Sequence, residues 1–194
     1  MKVITIDREF GAGGHTIGRE VAKRLGIEFY DRDIIAKAAA AGGLDPAHVE
    51  AEEETISKTH AFISAISPNS YDAKDVIFAH ERAVVVELAA QGPCVILGRC
   101  ANAILREEGV QVLSVFLFAD PELRMASVGK ILGTDDAPAI LRAIRKKDTA
   151  RKAYYHAYTE GEWGNVHECT MSLDTGALGY ETCVQIICDA AQAS

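Results

Sequence analysis

The sequence predicts an α/β fold in three layers, a five-stranded parallel sheet with helices on both faces. Three observations predict it. Short apolar runs alternate with segments of helical period. The first run passes through a glycine-rich bend straight into an amphipathic helix. Charged residues stand just beyond the runs, where ligands bind in a sheet of this kind.

The elements follow in order. Val3 to Ile6 is a β-branched run, and Thr16 to Leu25 carries apolar residues at 17, 21, 22 and 25. After Gly26 comes a second strand, Ile27 to Tyr30, which makes the opening a β-α-β unit. A helix from about Arg32 to Ala41 stops at Gly42-Gly43. The polar segment that follows, with the acidic run Glu50 to Glu54 and the turn-rich stretch at 67–75, reads as helices and loops outside the sheet. Alternation then resumes with a helix at Val76 to Ala90, a strand at Cys94 to Leu97, a helix at Ala101 to Glu108 and a buried strand at Val110 to Phe118. Asp120-Pro121 opens a further helix as an N-cap and first-turn pair. A long polar helical region at Asp136 to Thr159, a last strand at Thr170 to Leu173 and a closing helix from Gly179 to Ala193 complete the pattern.

Composition narrows the function. The 194 residues suit a single domain, 1-194, with 48% hydrophobic residues to fill a core. A formal charge of -8 argues against a surface that grips nucleic acid or an anionic membrane. The five cysteines include no C-x-x-C pair, so reduced, packed thiols are expected. No run of eighteen apolar residues occurs, and the N-terminus enters a strand at once. A soluble cytoplasmic protein is the expectation.

The stretch VITIDREFGAGGHTIGREVAKRL, from Val3 to Leu25, is laid out like a phosphate-binding loop without its lysine. Two other readings compete. Gly11-Ala12-Gly13 and Asp31 imitate a dinucleotide fingerprint, but Arg8, Glu9 and Phe10 separate strand from glycine, and a tight turn has no room for them. A glycine-rich turn without ligand is the plainer one, although three glycines within four positions are costly to order. Against G-x-x-x-x-G-K-[ST], Gly14-His15-Thr16 puts histidine at the lysine and keeps the hydroxyl. Against D-G-x-x-G-x-G-K-G-T, the residues DREFGAGGHT keep Asp7, Gly11, Gly13 and Thr16, with Arg8 at the first glycine and Gly14 at the lysine.

A second feature is basic. Arg142, Arg145, Lys146, Lys147, Arg151 and Lys152 fall within eleven residues of an otherwise acidic chain. Taken alone, a solvated helix with ordinary ion pairs explains them. Taken with the loop, they are a closing helix that brings positive charge to a migrating phosphoryl group, with Asp148 placed to hold Arg151 and Lys152.

These residues resemble the cytidylate kinase-like family of P-loop proteins, in which R-E-F-G-x-G-G replaces the ordinary loop. REFGAGG followed by IGREVAKRLGIEFYDRDII carries the likeness most specifically. GRCA at 98–101, IRKKDTARKAYYHAYT at 144–159, EWG at 162–164 and MSLDT at 171–175 match more loosely, and together they span nearly the whole chain. The resemblance implies a three-layer P-loop kinase-like fold with a helical lid at about 134-163 and a helical acceptor-side insertion at about 32-75. It implies ATP as phosphoryl donor with Mg2+, and a nucleotide-like acceptor. Residue by residue, Asp31-Arg32 falls where cytidylate kinases have Asp-Ser beside the acceptor, and Lys37 where an arginine contacts its phosphate. Arg99 follows Gly98 as in their G-R-D, with Cys100 replacing the aspartate that helps recognise the base. Lys147 and Asp148 fit the R-D of their lid, so Asp31, Arg32, Lys37, Arg99 and Asp148 form the acceptor set.

The expected activity is transfer of the ATP terminal phosphoryl to a nucleoside monophosphate or similar small acceptor. Amides of Gly11, Ala12, Gly13, Gly14, His15 and Thr16 would cradle the phosphates, and Thr16 would bind magnesium. Lys147 and Arg151 would close over the transferring group, and Arg8 would supply the missing charge. The alternatives are a nucleotide-binding regulatory module that lost catalysis with its lysine, and a dinucleotide-dependent enzyme.

Overall fold

The computed structural model describes residues 2–31 and 73–193. The helix expected at about 32–41, the acidic run, Arg32, Lys37 and most of the acceptor-side insertion lie outside the described residues.

Five strands form one sheet in which every pairing is parallel: β1 (Val3–Arg8), β2 (Glu28–Tyr30), β3 (Cys94–Leu97), β4 (Val112–Phe118) and β5 (Met171–Asp174). Their order is β2-β3-β1-β4-β5, with β1 in the centre. The doubly wound dinucleotide fold runs 3-2-1-4-5 instead. β1 continues past its apolar run because Asp7 and Arg8 still pair with Phe116 and Leu117.

Side chains alternate across the sheet and build a core on each face. On one face Ile4, Ile6, Val95, Leu97, Val115 and Leu117 pack against α1 (Gly14–Leu25) and α7 (Tyr180–Gln192). On the other, Val3, Cys94 and Ile96 meet α2 (Ala73–Ala90) and α3 (Ala101–Glu107). A short helix, α6 (Thr175–Leu178), is capped by Asp174, whose carboxylate accepts the N–H groups of Gly176 and Ala177. The closing helix expected from Gly179 follows it as the single piece α7.

The helices that frame the candidate site are α4 (Pro121–Leu132) and α5 (Ala137–Tyr158). Asp120 caps α4 as its sequence predicts, accepting from Glu122 and Leu123 at 2.9 and 3.0 Å. α5 fills the long polar helical region expected at 136–159 as one continuous rod of 22 residues. Val128 of α4 and Ile140 and Ile144 of α5 form a separate small core into which Phe10 packs. Among the described residues no helix is long and apolar enough to cross a membrane.

Candidate active site

The site begins where β1 delivers its chain to α1. Gly11 and Gly13 both take positive φ, 90° and 81°, so the backbone turns back on itself and enters α1 with Gly13 as a left-handed N-cap. A side chain at 13 would collide with the ring of Tyr180 at the head of α7. Among the described residues the amides of Gly11 and Gly13 meet no acceptor, and the first turn of α1 adds the unpaired N–H groups of its N-terminus. The result is a run of unpaired backbone donors at the positive end of a helix dipole.

Arg8 occupies the position of interest. Its backbone N–H donates to Asp7 Oδ1 at 2.9 Å, and its side chain is mostly buried, 18% exposed. The aliphatic stem lies across Gly14, where an added Cβ would sit 2.6 Å from Arg8 Cγ. The guanidinium continues to Gly98 just after β3, whose positive φ of 78° favours glycine. Arg8 thus spans from the glycine-rich loop to the turn after β3, through the volume that a side chain at residue 14 would use.

Other predicted residues fall around it. His15 is exposed, its Nε2 3.6 Å from Asp31 Oδ2 and its ring set edge-on to Phe29 at 5.4 Å. Thr16 is exposed on the first turn of α1, in a groove of about 440 Å³ that also includes Arg19, Lys23 and Tyr180. Ala12 is fully buried and its N–H donates to Glu9 O at 3.2 Å. Of the six clustered cations, Arg151 points at the loop. Its Nη1 donates to Arg8 O at 3.0 Å, and its guanidinium lies 5.7 Å over the Phe10 ring. Lys147 is partly buried on α5, while Arg142, Arg145, Lys146 and Lys152 are exposed. Asp148 lies 3.7 Å from Arg151, as its spacing predicts, and also accepts the Phe10 N–H at 2.8 Å and pairs with Arg124.

The turn after β3 is strained. Arg99 and Cys100 both have left-handed φ, 59° and 54°, without being glycine. Arg99 is held there by Glu81 of α2, 3.4 Å away, and by the Tyr154 ring of α5 at 5.9 Å. Tyr154 in turn donates its hydroxyl proton to Glu81. Burial, with the Glu81 charge beside it, pushes the Tyr154 phenol well above its ordinary range. Arg99 is therefore a largely covered partner of the buried Glu81 just after β3.

Glu9, Glu81 and Arg124 were not singled out by the sequence reading. A signal existed for two of them. Glu81 shares its helix face with Val84, Val85 and Leu88, and Arg124 shares one with Val128, all of them buried. A charge on a buried helix face calls for a partner.

Oxygen donors suited to magnesium are present. The Thr16 hydroxyl and the carboxylates of Asp7 and Asp31 stand at the ends of β1 and β2 and the start of α1. Among the described residues no group of three His, Cys, Asp or Glu side chains could hold a metal alone.

No curated protein matches the chain. Solved structures do. An uncharacterized protein from Eubacterium ventriosum superposes with a TM-score of 0.75 at 22% identity, covering 100% of both chains. Shikimate kinases from Bacteroides thetaiotaomicron and Acinetobacter baumannii give TM-scores of 0.55 and 0.51 at 14% and 16% identity. The first covers 98% of this chain and 98% of its own, the second 100% and 94%. The fold is that of the P-loop kinases. A model of the cytidylate kinase-like family matches residues 3–177, nine-tenths of the sequence, and the chain belongs to that family.

Proposed function

We propose that this kinase-family chain transfers the terminal phosphoryl group of ATP to a nucleoside monophosphate or similar small acceptor. The observation that carries the reading is Arg8, whose stem lies over Gly14 at the loop position where the lysine is missing and whose guanidinium, a permanent cation, continues to Gly98, 4.0 Å from Asp7 Oδ1. Phosphoryl transfer asks mainly for positioning and positive charge, and both are available at the loop. Amides of Gly11 and of residues 13 to 16 would cradle the donor phosphates, the buried Ala12 N–H being engaged by Glu9 O; Arg8 and Arg151 would face the developing charge, and Lys147 would approach from the same helix as Arg151. Magnesium, held by Thr16 and the donor phosphates, would neutralise phosphate charge. Asp31 and Arg99 border the acceptor side, Arg99 with its charge already met by Glu81.

The absent lysine supports a second reading, a module that binds nucleotide without turning it over. One experiment separates the two: purified protein with ATP, magnesium and a panel of nucleoside monophosphates and small hydroxyl acceptors. Turnover with one acceptor class supports the kinase, and ATP binding without turnover selects the module. Arg8→Ala is expected to reduce transfer at least tenfold, about 1.4 kcal/mol or more, with His15→Ala costing much less. If His15→Ala is the more damaging, the cation has been misassigned.

A further inference from the structure

The three residues that lengthen the loop, Arg8, Glu9 and Phe10, are each used. Arg8 covers Gly14. Glu9 and Phe10 are gripped from outside by a single guanidinium, that of Arg124 on α4. Its Nε donates to Phe10 O at 2.9 Å, its Nη1 lies 3.1 Å from Glu9 Oε2, and its Nη2 meets Asp148. Asp148 closes the circuit by accepting the Phe10 N–H through its other oxygen. Glu9 is tied further, its N–H donating to Leu117 O at 2.9 Å and its carboxylate accepting the Ala119 N–H at 3.3 Å. The Phe10 side chain then enters the small apolar core between α4 and α5.

From this geometry we infer that Glu9, Arg124 and Asp148 are positioning residues for the phosphate loop, and that Phe10 anchors α5 to it. The inference rests on the reading that the loop binds nucleotide phosphates. Both carboxylates point their oxygens at Arg124 or at backbone N–H groups of the loop and its neighbours, so this ion network shapes the loop from behind. A nucleotide arriving at Gly11 to Thr16 meets a bend that is already set, with Arg151 already at the Arg8 carbonyl. The lid helix is docked on the loop before any ligand closes it. A lysine at 124 gathers its three donors on one nitrogen and lacks the planar fork whose separate nitrogens reach Phe10 O, Glu9 Oε2 and Asp148.

The test combines local amide exchange with nucleotide affinity on the full chain. Arg124→Lys and Asp148→Asn should speed exchange at residues 9–14 at least about tenfold more than at the central strands, and weaken Mg-ATP binding about tenfold. Phe10→Ala should also raise exchange along 137–158, and Phe10→Leu should restore most of it. Exchange and affinity within about twofold of wild type in both Arg124→Lys and Asp148→Asn would overturn the inference, as would a loss spread uniformly over the whole molecule. A wild-type chain that binds no nucleotide overturns the phosphotransferase reading instead, and exchange alone then decides whether these residues set the loop.

Discussion

Arg8 and Gly14 form a pair that exchanges roles with the ordinary loop, which has glycine first and lysine later. A side chain at 14 and the arginine stem cannot share one volume, since a Cβ at 14 would sit 2.6 Å from Arg8 Cγ. Gly14 is helical, so nothing in its own backbone forbids lysine there. The two substitutions are therefore expected to couple strongly. Gly14→Lys alone should weaken Mg-ATP binding, because the new stem displaces Arg8. Arg8→Gly alone should weaken it by removing the cation. The double variant, which writes the ordinary loop into this chain, should recover most of the loss, with a coupling energy of roughly 1–3 kcal/mol. Calorimetric titration of all four proteins with Mg-ATP measures it. Losses that simply add would show that Arg8 does not stand in for lysine.

At the scale of elements, α4 carries Arg124 to the loop, and its first turn depends on Asp120. One carboxylate oxygen accepts two N–H groups there, and Pro121 presets the next backbone angle. Asp120→Ala should cost about 1 kcal/mol in urea unfolding, and Asp120→Asn only a fraction of that, since asparagine also caps. Equal costs would point to charge and away from the cap. Elements of this kind were legible in the sequence because their signals are local. The strands showed as continuous apolar runs because a parallel sheet buries both faces, and the loop showed through its glycines. The end of β1 did not show, since Asp7 and Arg8 are polar and their pairing with Phe116 and Leu117 is a tertiary fact. α6 is too short to reveal a period. Within the site, the Gly11 to Thr16 bend, Arg8 and Arg151 could be named from spacing. The engagement of Arg99 with Glu81, and of Asp148 with Phe10 and Arg124, depends on side chains brought together from distant positions.

Across the whole molecule, folding withdraws a set of weak acids from water, and this sets how stability responds to pH. All five cysteines are free, and Cys94, Cys100, Cys183 and Cys188 are buried. Burial pushes the Cys94 thiol up to about 11 and raises Cys100, Cys183 and Cys188 as well. It also carries the Tyr155 phenol to about 12. In the unfolded chain thiols ionise near about 8.5 and phenols near about 10. The unfolded state thus releases protons first as pH rises, binds fewer than the native state, and gains on it. Stability from these groups is complete below about pH 8 and is lost as pH climbs through 9 to 11. The unfolding free energy and the melting temperature are both expected to fall between pH 8 and pH 10.5. Cys169, only partly buried, should be the single thiol that a maleimide modifies quickly at pH 8 in the native protein. Cys169→Ser should then abolish fast labelling. Melting curves that superpose from pH 8 to 10.5, or rapid labelling of Cys94 in the native state, would show that the sheet and its covering helices do not seal these thiols as their burial requires.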